Sequence, residues 1–167
     1  MNKPLVGILM GSDSDLPVME KAAELLTLFG VPFEMDICSA HRLPEKTAKY
    51  AQTARERGIE VLICAAGMAA HLAGVVASHT TLPVIGVPVR SGALKGLDAL
   101  YATVQMPPGI PVATVSIDGS KNSAYLALSI LSIKHPELAE RLEQFRKSTR
   151  DELEAKSLAL QERLHKN

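Results

Sequence analysis

The chain has 167 residues, 47% hydrophobic and 22% charged, enough for one compact domain with a sizeable core and short for two. Eighteen Lys and Arg balance eighteen Asp and Glu, which speaks against nucleic acid or anionic membrane as a partner and for a small molecule. Cys38 and Cys64 are too few for a disulfide framework and fit no CxxC or Cys/His metal spacing, so a reducing cytoplasm is the expected location.

Leu5 to Met10 carries no polar side chain, the pattern of a parallel strand buried on both faces. Without a basic leader or a small-residue cleavage site it reads as a strand, not a signal peptide. No apolar run approaches the roughly 20 residues of a membrane span. Gly11-Ser12-Asp13-Ser14-Asp15 follows as a loop. Pro17 suits a first helical turn, Val18, Ala22, Leu25, Leu26 and Phe29 share one helical face, and Gly30 is placed to end the helix.

The unit then repeats. Phe33 to Ile37 predicts a second strand, Ser39-Ala40-His41-Arg42 a loop, and Pro44 to Arg57 a helix stopped by Gly58. Val61 to Ala65 predicts a third strand, with Gly67 and His71 in its loop and a short Ala/Val-rich helix reaching Ser78. Pro83 to Val87 is the fourth strand, and its long exit, Pro88 to Gly96, reads as a mobile or ligand-facing loop. Leu97 to Val104 can return as a helix. Gln105 to Pro111 is a rigid connector, because three prolines remove three backbone donors.

Val112 to Ile117 predicts a fifth strand, and Lys121 to Ile133 a helix too apolar for a single buried stripe, part of whose cover is expected from another subunit. From Pro136 the composition turns charge-rich, with Leu138, Leu142, Phe145, Leu153, Leu160 and Leu164 near a 3.6 period. The expectation is one α/β domain over 1–135 and an amphipathic helical extension over 136–167, packing on the domain or a neighbouring subunit.

Alternating strands and helices imply a parallel sheet with helices on both faces. Ligands bind such sheets outside the carboxyl ends of the strands, where strand order reverses. The loops holding Ser12, His41, His71 and Arg90 would all emerge at that edge. Gly11 to Asp15 fits an anion cradle at a helix N-terminus. It equally fits a plain cap in which Ser14 or Asp15 serves the helix. It has neither the Lys of GxxxxGK[ST] nor the spacing of GxGxxG.

His41 can move a proton near neutral pH, and Arg42 beside it can hold a phosphate or carboxylate by a bidentate contact. The plain alternative is a solvated loop histidine. Cys38, three residues upstream, offers a nucleophile, with no second oriented base in view. His71 and His79 lie eight residues apart with no carboxylate between them, which does not suggest a metal site.

Six motifs in order resemble one family: Gly11-Ser-Asp-Ser-Asp15, Ser39-Ala-His-Arg42, Ala69-Ala-His-Leu72, Pro83-Val-Ile-Gly-Val-Pro88, Leu97-Asp-Ala-Leu-Tyr101 and Gln105-Met-Pro-Pro-Gly-Ile-Pro111. From Leu5 to His135 the chain is similar to the N5-carboxyaminoimidazole ribonucleotide mutases of purine biosynthesis. The resemblance implies a three-layer α/β/α sandwich with a parallel, flavodoxin-like sheet, a cytoplasmic homo-octamer, and conversion of N5-carboxyaminoimidazole ribonucleotide to 4-carboxy-5-aminoimidazole ribonucleotide. It implies no cofactor, metal or ATP, and no nucleic acid or membrane partner.

Carried over residue by residue, Ser12 and Asp15 contact the ribose-phosphate part, Arg42 holds the phosphate and His41 is the general acid/base. Ser14, Ser39, Ala40, Gly67, His71 and Leu72 complete the implied substrate-binding set, the Gly67-to-Leu72 loop lining the pocket around the migrating carboxylate. A related group carboxylates aminoimidazole ribonucleotide directly and carries Ser-Ala-His-Lys with a different third loop; Arg42 and Ala-Ala-His-Leu set this chain with the mutases. A non-catalytic module binding a phosphorylated ligand is the other alternative. Met68 stands where the family usually has glycine, Ala73 where it often has proline, and Ser123-Ala-Tyr125 where small apolar residues are typical.

Overall fold

All five residues of β1 (Val6–Met10) are buried in the computed structural model, which describes residues 3–165. An apolar strand without alternation needs cover on both faces, and β1 has it at the centre of the sheet. It pairs in parallel with β2 (Phe33–Ile37) on one side and with β3 (Val61–Gly67) on the other, Leu9 lying level with Asp36 and Cys64. Beyond β3 come β4 (Val84–Val89) and β5 (Ala113–Thr114), giving the all-parallel order β2-β1-β3-β4-β5.

Helices α1 (Leu16–Leu28), α5 (Ser120–Leu131) and the start of α6 (Pro136–His165) cover one face. On the other lie α2 (Pro44–Arg57), α3 (Leu72–Ser78) and α4 (Leu97–Val104). The result is a flavodoxin-like three-layer α/β/α sandwich. Its first core joins Ile8, Ile63 and Ile85 of the sheet to Leu26 and Leu128, and its second joins Leu9 and Leu62 to Ala51, Ala54 and Val76.

Two glycines show why the helices sit where they do. Gly58 ends α2 at φ +102, the left-handed C-cap that lets the chain turn at once into the sheet. Gly7 has no side chain because α2 comes so close: a Cβ there would lie 2.6 Å from the Tyr50 hydroxyl and 2.8 Å from Leu62 Cδ2.

Two elements differ from the sequence expectation. Strand β5 pairs over Ala113 and Thr114 alone, although Val112 to Ile117 alternates as a strand should. The neighbour supplies the reason. Gly86 and Pro88 of β4 both accept from β5 and its exit, through Val115 N–H at 3.0 Å and Asp118 N–H at 2.9 Å, but Pro88 has no N–H to give back. Helix α5 stops at Leu131, so Ile133 is left 86% exposed, while α1 and α6 supply cover for Ala124, Ala127, Leu128 and Leu131.

The last helix is a rod of 30 residues, about 45 Å long at 1.5 Å per residue. Leu138 and Leu142 are buried, and Phe145 closes an aromatic trio with Phe29 and Tyr125, ring centroids 5.1 to 6.1 Å apart. At its base Glu60 accepts from Lys134 Nζ at 2.6 Å and His135 Nε2 at 3.0 Å. Burial raises the Glu60 carboxyl, but these two donors outweigh it and hold it below the usual range. Leu153, Leu158, Leu160 and Leu164 remain exposed.

Candidate active site

The chain leaves β1 toward β2 and then crosses to β3 on β1's other side, so the exits of β1 and β3 diverge and open a crevice between them. A pocket of about 490 Å³ occupies it. Four strand exits build its wall, and the local chemistry of each decides what it presents.

After β1, Asp13–Asp15 forms a 3-10 turn capped by Ser12: Ser14 N–H bonds the Ser12 hydroxyl, and Asp15 reaches back to accept Ser12 N–H at 3.1 Å. This reciprocal capping box serves the 3-10 turn itself, and Asp15 makes no side-chain cap to α1. Burial pushes the Asp15 carboxyl up, only partly offset by the amides of Ser12 and Gly11. Asp13, fully exposed, is held below its usual value by the Ser12 hydroxyl and the Ser14 amide.

After β2, Ser39 to Arg42 forms a single turn closed by Leu43 N–H on the Ser39 carbonyl at 2.8 Å. The buried Ser39 hydroxyl accepts from both the Arg42 N–H and Nε at 3.3 Å, and Arg42 Nη2 donates to the Gly11 carbonyl at 3.0 Å. One guanidinium thus stitches the second exit to the first. His41, next to it, stands exposed on the pocket wall.

After β3, His71 opens α3 and its Nδ1–H donates to the Ala102 carbonyl of α4 at 2.8 Å. The carbonyl can only accept, so Nδ1 carries the hydrogen and the tautomer is fixed. The ring lies flat against α3, where a Cβ on Gly74 would stand 2.3 Å from His71 Cε1. Ala66, Ala69 and Ala70 supply a small-residue lining.

The pocket brings together every residue the sequence singled out for the site: Ser12, Ser14, Asp15, Ser39, Ala40, His41, Arg42, Gly67, His71 and Leu72. Arg90 turns elsewhere, its N–H and Nε bonding Asp118 at 2.8 and 3.3 Å. His79 borders a separate groove beside Arg55 and Thr81. Cys38 is fully buried, and burial with nearby Asp36 pushes its thiol up to about 11, which leaves it unsuited to nucleophilic attack. Among the described residues no three His, Cys, Asp or Glu side chains gather as metal ligands, and no helix is long and apolar enough to cross a membrane.

The AIR carboxylase family profile matches residues 5–152. The chain belongs to the AIR carboxylase family. It is 61% identical over 160 residues to the N5-carboxyaminoimidazole ribonucleotide mutase of Pyrococcus horikoshii, covering 96% of this chain and 90% of that one. It is 55% identical over 159 residues to the protein of the same name from Thermotoga maritima, covering 95% and 93%. A crystal structure of Treponema denticola PurE superposes with a TM-score of 0.82 at 32% identity, over 90% of this chain and 94% of that one.

One wall residue of this AIR carboxylase chain escaped the motif reading: Ser91, seen only as part of a long loop, which ties to Met68 of the expected Gly67-to-Leu72 lining. The Ser91 hydroxyl accepts Met68 N–H at 3.0 Å. No local pattern marks that pair, because β3 and β4 must first be known to be neighbours. Met68 itself is left-handed at φ +57, a conformation uncommon for a residue with a side chain.

Proposed function

We propose that this pocket converts N5-carboxyaminoimidazole ribonucleotide to 4-carboxy-5-aminoimidazole ribonucleotide in purine biosynthesis, with His41 as the only proton carrier. The observation that carries the reading is the juxtaposition of exposed His41, tethered Arg42 and the capped Ser12-to-Asp15 turn around one small-residue cavity. In this reading the 5′-phosphate lies against the Arg42 guanidinium and the Ser12 and Ser14 hydroxyls of the serine turn. Ser12 and Asp15 meet the ribose, and the imidazole ring faces His41 and the third exit, Gly67 to Leu72.

The chemistry is an internal transfer. The bond from the exocyclic nitrogen to its carboxylate carbon breaks, carbon dioxide leaves, and the electron pair stays on nitrogen, which takes a proton from His41. Carbon 4 then attacks the retained carbon dioxide, and the hydrogen on carbon 4 returns to His41 as the ring regains aromaticity. One proton goes out and one comes back, so the sum is an isomerisation. A positioned acid/base supplies about 10² to 10⁴ in rate. Holding both fragments together supplies effective molarities of about 10⁵ M or more.

The remaining features of the reading are a cytoplasmic homo-octamer that uses neither cofactor nor metal, in which the outer half of α6 packs on a neighbouring subunit. The exposed Leu153, Leu158, Leu160 and Leu164 support that packing. The test supplies purified protein with N5-carboxyaminoimidazole ribonucleotide, or with aminoimidazole ribonucleotide and bicarbonate, each without ATP. Rapid product from the first alone supports the mutase, preference for the second means a direct carboxylase, and binding without product from either means a ligand-binding module. His41→Asn should keep ribonucleotide binding and lose turnover by about 10²-fold or more; substantial retained kcat removes His41 from the proton-carrying role.

A further inference from the structure

Side-chain hydrogen bonds tie the four strand exits around the pocket in two separate pairs. Arg42 joins the second exit to the first, through the Ser39 hydroxyl and the Gly11 carbonyl. Ser91, just beyond β4, joins the fourth exit to the third, its hydroxyl accepting Met68 N–H at 3.0 Å. Neither the phosphate anchor nor the proton carrier accounts for this second tie.

The third exit depends on it. β3 and β4 pair as far as Gly67 and Val89, and past that point no ladder holds the chain. Ala70 N–H bonds the Met68 carbonyl at 2.8 Å and His71 N–H the Ala69 carbonyl at 2.9 Å, two tight turns that fix the shape of the loop but not its place. Among the described residues, side chains bond the backbone of residues 67–70 at two points. Thr103 donates to the Ala70 carbonyl at 3.2 Å from the buried side, and Ser91 takes Met68 N–H at the pocket wall. The backbone at 68 is left-handed, φ +57, so the turn is held against the preference of a residue with a side chain. The bond goes to the main chain and does not depend on which side chain position 68 carries.

Ser91 is itself braced. Gly67 lies against it so closely that a Cβ there would stand 2.4 Å from the Ser91 hydroxyl oxygen and 3.1 Å from its Cβ. Behind it, Arg90 N–H and Nε bond Asp118 at 2.8 and 3.3 Å, and Asp118 N–H bonds the Pro88 carbonyl at 2.9 Å. The exit of β5 thus steadies that of β4, which steadies that of β3.

We propose that Ser91 is a positioning residue: its hold on the Met68 amide sets how closely the third exit approaches the imidazole ring, and so how the ring is presented to His41. The inference rests on the mutase reading above. Arg42 and the serine turn belong to the other pair of exits and keep the ribonucleotide bound whether or not Ser91 is present. Loss of the Ser91 hydroxyl therefore falls on kcat and not on KM, because a small misplacement of reacting groups lowers the rate far more than the affinity.

The test compares full-length Ser91→Ala with wild type on N5-carboxyaminoimidazole ribonucleotide. Turnover is counted per site that binds aminoimidazole ribonucleotide in a calorimetric titration, so inactive protein cannot imitate a loss. In Ser91→Ala, kcat should fall about tenfold or more with KM within about twofold. Tm should stay within about 4 °C of wild type, since one partly exposed hydrogen bond is lost. The Met68 amide, left without its acceptor, should exchange its hydrogen with solvent about tenfold faster. Gly67→Ala displaces the same hydroxyl, so the double variant should turn over little more slowly than the slower of the two single variants.

Wild-type kcat in Ser91→Ala overturns the positioning role, as does a loss carried by KM or a pair of losses that multiply in the double variant. An unchanged exchange rate at the Met68 amide overturns it too, since the tie is then not made. A Tm lower by more than about 10 °C would make Ser91 a support of the fold and not of the ring. A wild type inert toward N5-carboxyaminoimidazole ribonucleotide removes the mutase reading itself, an outcome distinct from an active wild type whose Ser91→Ala variant is unimpaired.

Discussion

Gly74→Ala separates stability from function, and the contacts fix the magnitude of each. Gly74 lies inside α3, where alanine is favoured over glycine by up to about 1 kcal/mol. Helix propensity alone therefore predicts a more stable protein. The added Cβ, however, would stand 2.3 Å from His71 Cε1 and 2.4 Å from Nε2. The ring has solvent on one side, so it can swing away at the loss of its 2.8 Å bond to the Ala102 carbonyl, about 1 kcal/mol. The two effects nearly cancel, leaving Tm within about 4 °C of wild type. Function should not survive as well, because a wall residue displaced by an ångström or more can lower turnover about 10²-fold. Thermal unfolding, steady-state kinetics and the histidine ¹⁵N spectrum, which reads loss of the Nδ1–H tautomer, measure the three parts. A Tm lower by more than about 10 °C would refute the swing, because the clash would then be borne by the fold. Wild-type turnover with an unchanged His71 signal would refute the steric reasoning altogether.

Ser39→Ala removes the hydroxyl that holds Arg42 through two 3.3 Å contacts; KM for the ribonucleotide should rise about 5- to 10-fold with kcat within about twofold, in a KM-against-kcat comparison. Glu60→Gln tests the clasp at the base of α6. Because the folded pKa of Glu60 is depressed, its ionised form stabilises the protein above the unfolded value near 4.5, and that contribution disappears as pH falls through the folded value. Wild type should therefore exceed the variant by about 0.5 to 1 kcal/mol at pH 7, and the gap should close below about pH 4.5 in urea titrations; a gap independent of pH would contradict the ion pairing. Phe145→Ala should cost about 2 kcal/mol in chemical denaturation by opening the trio with Phe29 and Tyr125, and a loss under about 0.5 kcal/mol would mean that α6 is not anchored there.

Periodicity and punctuation carried most of the fold. Pro17 and Pro44 opened helices, Gly30 and Gly58 ended them, and unbroken apolar runs marked the central strands, because each of these signals is local to its own segment. What needed a neighbour was not legible. The short β5 depends on the missing N–H of Pro88, two dozen residues earlier and on another strand. The site divided in the same way. His41, Arg42, Ser12 and Asp15 stand in loops whose placement follows from the βα order, whereas the tie from Ser91 to Met68, from His71 to Ala102 and from Arg42 to Gly11 each span more than twenty positions. Those ties aim the side chains, and only the strand order brings their ends together. In α6 the leucine spacing marked a helix with an apolar face but could not say that packing on its own domain ends with Phe145.

The two-residue β5 has a consequence for how copies of this chain can meet. A sheet grows from chain to chain only when an edge presents a run of free donors and acceptors long enough to template a new strand. Here that edge presents Ala113 and Thr114, approached through Pro107, Pro108 and Pro111, none of which has an N–H to offer. Contacts across this side of the molecule must therefore be made through side chains on helices and loops. Such contacts are set by the shape and charge of the side chains that meet, whereas an open strand edge accepts any chain that can extend beside it.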